Sequence, residues 1–300
     1  MDLRHFRYFV AVAEELHFSR AALRLNISQP PLSKHIQEIE EMLGVKLLER
    51  TRRRVELTEA GKIFLEEARA VLAQAARAID IGKRVGLGEV GELRIGFTST
   101  AAYLPRFSRA VRTYRLALPE VHLDLRYMTS EPILDALLLG DLDVGLIRPS
   151  ASLALPPEIT AVRVLQDRLM LAIHADDRLA RGKKPVPIES LARRAFVLRP
   201  RGHGSSFYEQ VYTLCEQAGF KPLISQEAHE APTILGLVAA GVGISILPAS
   251  LQAIRVADIT WRELSAENGT VDSAVLLVYN AKARDTPQRT RFIQLVRQLL

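Results

Sequence analysis

The chain has 300 residues, 48% of them hydrophobic, a formal net charge of +6 and one cysteine, with a pI near 9.6. At about 100–200 residues per domain this length predicts two or three domains with ordinary cores, and the single Cys215 excludes an intrachain disulfide framework and fits a reducing compartment. The modest positive excess favours a polyanionic partner, no run reaches ~18 uninterrupted apolar residues, and the opening Met-Asp-Leu-Arg-His-Phe lacks the pattern of a secretory signal; a bacterial-type cytoplasmic protein with no membrane partner is expected.

Leu3, Phe6, Val10, Ala13 and Leu16 recur at helical spacing and predict a first helix. Ser19 is placed as the cap of a short second helix carrying Ala21, Ala22, Leu23 and Leu25, and Asn26 tolerates the left-handed turn out of it. Ser28 then caps a third helix with Pro30 and Pro31 in its first turn, Leu32, Ile36, Ile39 and Leu43 as its buried stripe and Gly44 as its stop. Short strands are predicted at 45–48 and 55–57 around Arg50-Thr-Arg-Arg-Arg54. Thr58 caps a long helix reaching about residue 86, on which Leu65, Leu72 and Ile79 alternate with Ala68, Ala75 and Gly82 as a heptad seam suited to a dimer contact. The glycines of Gly86-Leu-Gly-Glu-Val-Gly91 mark a boundary. Beyond it, strands at 93–97, 121–128, 144–147, 168–174, 196–198, 223–226, 244–247 and 274–278 alternate with helices at 100–116, 131–139, 188–193, 206–218, 232–240 and 287–299, a pattern that predicts largely parallel sheets covered by helices.

Two short helices, a tight turn and a basic hairpin within the first sixty residues outline a winged helix-turn-helix, whose third helix fits a DNA major groove. Gln29 suits adenine and Lys34 guanine or phosphate; Ser28 and Ser33 can donate to bases or phosphates, and Pro30 and Pro31 offer apolar contact. Arg50, Arg52, Arg53 and Arg54, the densest charge cluster in the chain, could reach phosphates or a neighbouring minor groove. Alone, such an arginine run is more often a solvated loop; next to Ser28–Ser33 it reads as a wing.

Over essentially its whole length the chain resembles LysR-type transcriptional regulators, on Leu3-Arg-His-Phe-Arg-Tyr-Phe9, Ser19-Arg-Ala-Ala22, Ser28-Gln-Pro-Pro-Leu-Ser33, Leu57-Thr-Glu-Ala-Gly61, Gly236-Leu-Val-Ala-Ala-Gly241 and Gly243-Ile-Ser-Ile-Leu-Pro248. The Gln-Pro-Pro-Leu-Ser variant is similar to the branch that controls degradation of aromatic compounds. The resemblance implies an N-terminal winged helix-turn-helix with a long linker helix, followed by a two-lobed α/β effector domain like a periplasmic binding protein. The expected divisions are a DNA-binding domain at 1–57, a dimerising helix at 58–86, a hinge at 87–91, lobe I at 92–162 and 268–300, and lobe II at 163–267. The implied function is a promoter-binding regulator and activator, a dimer of dimers working with RNA polymerase and switched by a small metabolite.

Ligands in such folds sit beyond the carboxyl ends of strands, at helix N-termini. Thr98, Ser99 and Thr100 follow one predicted strand, Thr129 and Ser130 the next, and Arg148 a third; hydroxyls, free backbone N–H groups and a guanidinium suit an organic anion such as a carboxylate. Ser99, Ser130 and Arg148 match effector-contacting positions of the family. Pro200, His203, Phe207 and Thr233 are the candidates from lobe II. The bland readings are that the hydroxyls merely cap helices and that Arg148 pairs with Asp141 or Asp143. An enzyme is disfavoured: the seven histidines lack metal-ligand spacing, and no nucleophile elbow or P-loop occurs, so no metal or cofactor is expected. A free-standing solute-binding protein is the remaining alternative, disfavoured by the attached winged helix.

Overall fold

A computed structural model describes residues 1–50, 54–149, 153–200, 206–266 and 272–299. Its contacts divide the chain into Met1–Gly86 and Leu87–Leu300.

In the first unit, α1 (Leu3–Glu15), α2 (Phe18–Arg24) and α3 (Gln29–Leu43) bury Phe9, Val12, Ala21, Leu32, Ile36 and Ile39 in one core. Two expectations shift here. The cap of α2 is His17, whose Nδ1 accepts from the Ser19 and Arg20 backbone N–H groups, so Ser19 lies inside the helix. Leu43 is exposed, and the buried stripe of α3 closes instead with the carboxylate of Glu40. Asn26 takes the left-handed conformation (φ 54°) and Gly44 ends α3 at φ 68°. Strand β1 is Leu48–Arg50, three residues later than expected, and pairs antiparallel with β2, Val55–Leu57.

Helix α4 (Glu59–Gly86) has 28 residues, about 42 Å at 1.5 Å per residue. Its start explains the Leu57-Thr-Glu-Ala-Gly61 run. The Thr58 hydroxyl donates to the Lys46 carbonyl at 2.8 Å and accepts the Gly61 N–H at 2.9 Å, and a Cβ on Gly61 would lie 2.0 Å from the Leu47 carbonyl oxygen. The heptad seam divides: Leu65 and Ala68 are buried in the unit's own core, whereas Ile79 is exposed, as are Ile81 and Val85 outside the seam.

In the second unit, β3 (Val90–Phe97) lies parallel to β4 (Glu120–Tyr127) and β5 (Val144–Ile147). The helix expected at 100–116 is broken into α5 (Ser99–Ala102) and α6 (Pro105–Ala117), because Pro105 holds Leu104 extended (φ −76°, ψ 122°). Helix α7 (Ser130–Leu139) follows β4. The strand expected from residue 168 is β6, Ile159–His174, which is 16 residues long; its alternating, partly exposed first half hides in the sequence as loop. After a short 3-10 turn at Arg178–Arg181 come β7 (Val186–Pro187), a second 3-10 turn at Ile188–Leu191 where a helix was expected, β8 (Ala195–Leu198), α8 (Ser206–Gln217), β9 (Leu223–Glu227), α9 (Ala231–Ala239) and β10 (Ser245–Pro248). A 3-10 turn at Ala249–Ala253, β11 (Ile259–Ser265), β12 (Asp272–Asn280) and α10 (Pro287–Gln298) complete the unit.

The main sheet is mixed rather than largely parallel, and β8 and β9 form a separate parallel pair. An eight-stranded sheet runs β4-β3-β5-β12-β6-β11-β7, with β10 also on β6. Strand β6 pairs antiparallel with β12 over Ile159–Arg168 and then with β10 and β11 over Leu169–His174. It thereby carries the chain from one lobe to the other, and β12, returning, must run opposite to it. One lobe packs Leu93, Ile95, Tyr114, Val144 and Phe292, with Ile133, Leu137, Ile147 and Val278 in an adjoining cluster; the other packs Leu171, Phe196, Val211, Ile234 and Ile246.

Candidate nucleic-acid interface and effector cleft

The first turn of α3 faces outward. Ser28, Gln29, Pro30, Pro31 and Lys34 are exposed and Ser33 is half-buried. Ser28 occupies the cap position with extended backbone, yet its side chain makes no capping hydrogen bond, leaving the hydroxyl at the surface. Ser19 Oγ donates to Gln29 Oε1 at 2.9 Å, which fixes the amide at the start of the helix and turns its NH₂ away from that contact. Lys34 has a loose i,i+4 partner in Glu38 at 3.8 Å.

The arginines separate by role. Arg50 is tied inward: its guanidinium lies 4.7 Å from the centroid of the Phe18 ring, 3.6 Å from Glu40 Oε2 and 3.4 Å from Ser33 Oγ. Arg54 is exposed and 3.3 Å from Glu56; Arg52 and Arg53 lie outside the described residues. Glu40, which the sequence reading overlooked, anchors the hairpin to α3. Its carboxylate accepts from the Leu47 and Leu48 backbone N–H groups at 3.0 and 3.1 Å and from Lys46 at 2.9 Å. Burial alone would raise this carboxyl, but Lys46, the two backbone donors and Arg50 together hold it below its ordinary value. A buried Glu within a helical polar pattern looks like a surface residue in the sequence; its signal is the apolar Leu47-Leu48 pair it must reach.

In the second unit, three neighbouring strand ends come together, because Phe97 is level with both Tyr127 and Leu146. Thr98 and Thr129 stand at the cap positions of α5 and α7, and neither side chain makes a capping bond. Thr98 Oγ1 is buried with no hydrogen-bond partner among the described residues. Ser99 is half-buried, Thr100 and Ser130 are buried, and Ser130 Oγ donates to the Arg148 carbonyl at 3.4 Å.

Arg148 is 1% exposed, and its charge has a partner that neither sequence alternative named. Its guanidinium donates to Asp167 Oδ2 at 3.0 Å, Ser273 Oγ at 2.9 Å, Ser250 Oγ at 3.2 Å and Thr100 Oγ1 at 3.3 Å; Asp143 instead pairs with Arg94 at 3.0 Å. Burial pulls the guanidinium below its usual pKa and Asp167 opposes that pull. Arg148 thereby joins β5, α5 and both crossing strands to the 249–253 turn as a clamp. Asp167 and Ser273, which supply that clamp, escaped sequence reading because they lie 19 and 125 residues from Arg148. On the other lobe, Pro200 is half-buried and Thr233 is exposed in the first turn of α9. His203 lies outside the described residues, as does the side chain of Phe207 at the start of α8.

The comparisons with known proteins agree with this division. Residues 3–62 match the family described as "Bacterial regulatory helix-turn-helix protein, lysR family", and residues 87–300 match "LysR substrate binding domain". The chain is similar to the uncharacterised HTH-type transcriptional regulator YnfL of Escherichia coli (strain K12), 41% identical over 97% of this chain and 96% of that one. It is similar also to the probable cat1 operon transcriptional activator of Acinetobacter lwoffii, 35% identical over 100% and 95%. Among solved structures it resembles full-length CbnR complexed with its target DNA, with a TM-score of 0.83 at 34% identity over 100% of this chain and 99% of that one. The effector-binding domain of BenM with its effector benzoate gives a TM-score of 0.61 at 27% identity over 70% of this chain and 91% of that one.

Proposed function

This chain belongs to the LysR family of DNA-binding transcriptional regulators with an effector-binding domain, and on that premise we propose that it is a promoter-binding activator switched by a small organic anion held between its lobes. The regulator carries no catalytic role. One observation carries the effector proposal: the buried Thr98 hydroxyl, unpartnered among the described residues, at the end of β3. A buried hydroxyl without a partner costs about 1–3 kcal/mol, and a ligand oxygen accepting from it removes that cost. The uncapped Thr129 at the start of the ten-residue α7 supports the same reading, since a helix N-terminus favours a carboxylate. Ser99, Thr100, Ser130, Pro200, His203, Phe207 and Thr233 complete the proposed surroundings. Arg148 acts beneath the ligand by linking the lobes.

On the DNA side, Ser28, Gln29, Pro30, Pro31, Ser33 and Lys34 read or position the duplex, with Arg52, Arg53 and Arg54 on phosphates and Arg50 holding the hairpin. The exposed apolar residues Ile79, Ile81 and Val85 of α4 support association of copies through this helix, in a dimer of dimers that recruits RNA polymerase. A DNA partner implies the cytoplasm. Benzoate as the effector of BenM supports an aromatic carboxylate as the class of effector. A thermal-shift screen of small carboxylates on the full chain tests the effector assignment. A ligand at 100 times its dissociation constant stabilises its domain by about 2.7 kcal/mol, and failure of every carboxylate where a neutral or cationic metabolite succeeds contradicts an anion site.

A further inference from the structure

The sequence shows no metal-ligand spacing, but folding brings three donors together from two helices. His5, in the first turn of α1, and His35 and Glu38, one turn apart on α3, place one ligand atom each within 4.8 Å of one another. His35 Nδ1 lies 2.9 Å and His5 Nε2 3.8 Å from the same oxygen, Glu38 Oε2, while Glu38 Oε1 faces Lys34 Nζ at 3.8 Å. A metal 2.0–2.2 Å from each of three tetrahedral ligands separates them by about 3.3–3.6 Å, so the observed spacing needs adjustments of only a few tenths of an ångström on the two measured edges.

The far side of His5 is also arranged. Its Nδ1 lies 2.8 Å from Asp2 Oδ1. The Asp2 backbone N–H lies 3.1 Å from the same Nδ1; in the tautomer that accepts from it Nε2–H faces Glu38, and in the tautomer that donates to the Asp2 carboxylate Nε2 is free to ligate a metal. The carboxylate behind a ligating imidazole is the usual second partner of a metal-bound histidine, fixing its tautomer and raising its basicity. The three donors are half-buried, and a hollow lined by His5, Glu38, Glu41 and Met42 opens beside them, with space for a fourth ligand such as water.

We propose that His5, His35 and Glu38 form a site for a divalent transition-metal ion of the zinc, nickel or copper class, fastening the start of α1 to the middle of α3. Two imidazoles and a carboxylate favour these ions over magnesium or calcium, which take all-oxygen sets. Bound there, the ion sits away from the exposed Ser28–Gln29 turn and acts by stiffening the helix that carries it.

The test uses the full chain, stripped with chelator and titrated with zinc against a chromophoric competitor. The wild type is expected to bind one more zinc per chain than His35→Gln, and Glu38→Gln to show the same deficit. Asp2→Asn is expected to retain that zinc with affinity lower by about 10–100-fold, as for loss of an outer-shell partner. Cobalt(II) in place of zinc is expected to give a visible tetrahedral absorption band that His35→Gln lacks. Unchanged circular dichroism of the metal-free variants separates a lost ligand from a lost fold. Equal zinc stoichiometry and affinity in the wild type and His35→Gln, or a cobalt spectrum that does not depend on His35, would mean a shared proton bridges these groups and would overturn the proposal.

Discussion

Charge is used differently in the two units. Around α3 the cationic and polar side chains are displayed: Lys34 and Arg54 have side chains 78% and 79% exposed, and the buried charge of Glu40 serves to hold the hairpin that carries others. In the second unit Arg148 is enclosed, with a carboxylate and three hydroxyls drawn from four separate segments. Displayed charge recognises a partner that arrives from solvent. Enclosed charge stores strain-free order between lobes, and its disruption is felt through the whole unit.

That contrast is broken most severely at Arg148. Arg148→Met leaves Asp167 buried without its partner, and the second unit is expected to lose about 3–5 kcal/mol. Denaturant unfolding followed by Trp261, the chain's single tryptophan, on β11, reports this unit. Adding Asp167→Leu is expected to recover much of the loss, because a buried pair replaced by apolar groups is often near neutral; a double variant as unstable as the single would give the clamp a different basis.

A smaller effect is expected at Glu40. Glu40→Gln removes the charge from its hydrogen bonds and is expected to cost the first unit about 1.5–3 kcal/mol. The sign follows from its depressed pKa: the contribution is full above the ordinary glutamate value of 4.5 and is lost as pH falls through the lower folded value. Wild type and Glu40→Gln should therefore converge in stability as the pH is taken down through the lowered folded value, measured by circular dichroism of the α-helices; a difference that stays constant through acid unfolding would remove the charge from the account.

On the displayed side, Gln29→Ala is expected to lower the ratio of specific to random duplex binding by about 1–3 kcal/mol if the amide reads one base pair, with equal losses on both duplexes counting against direct readout. The mildest change is expected at Arg53. Arg53→Ala should weaken all duplexes and flatten the salt dependence of the logarithm of affinity by about one unit per lost phosphate contact, and an unchanged slope would take Arg53 off the phosphate list.

The same contrast explains what could be read from the sequence. The helix-turn-helix was legible because its signals are local: Asn26, Ser28, the prolines and Gly44 lie within twenty residues and each does one backbone task. The strand ends at Thr98 and Thr129 were legible for the same reason. The partner of Arg148 was not, since topology alone brings Asp167 and Ser273 to it. Nor was β6, whose two halves pack in different lobes and so share no single pattern. His17 as a cap and the His5–His35 pairing were missed because imidazole has no fixed meaning in a one-dimensional pattern.

The central claim is that a ligand in the second unit and DNA on the first are coupled. The direct measurement is the dissociation constant of a carboxylate found by thermal shift, taken by calorimetry on the full chain with and without saturating operator duplex. Coupled sites change each other's affinity by a common factor, typically about 5–150, and a shift in that range is expected. Identical ligand affinities in the two titrations would contradict a metabolite-switched reader.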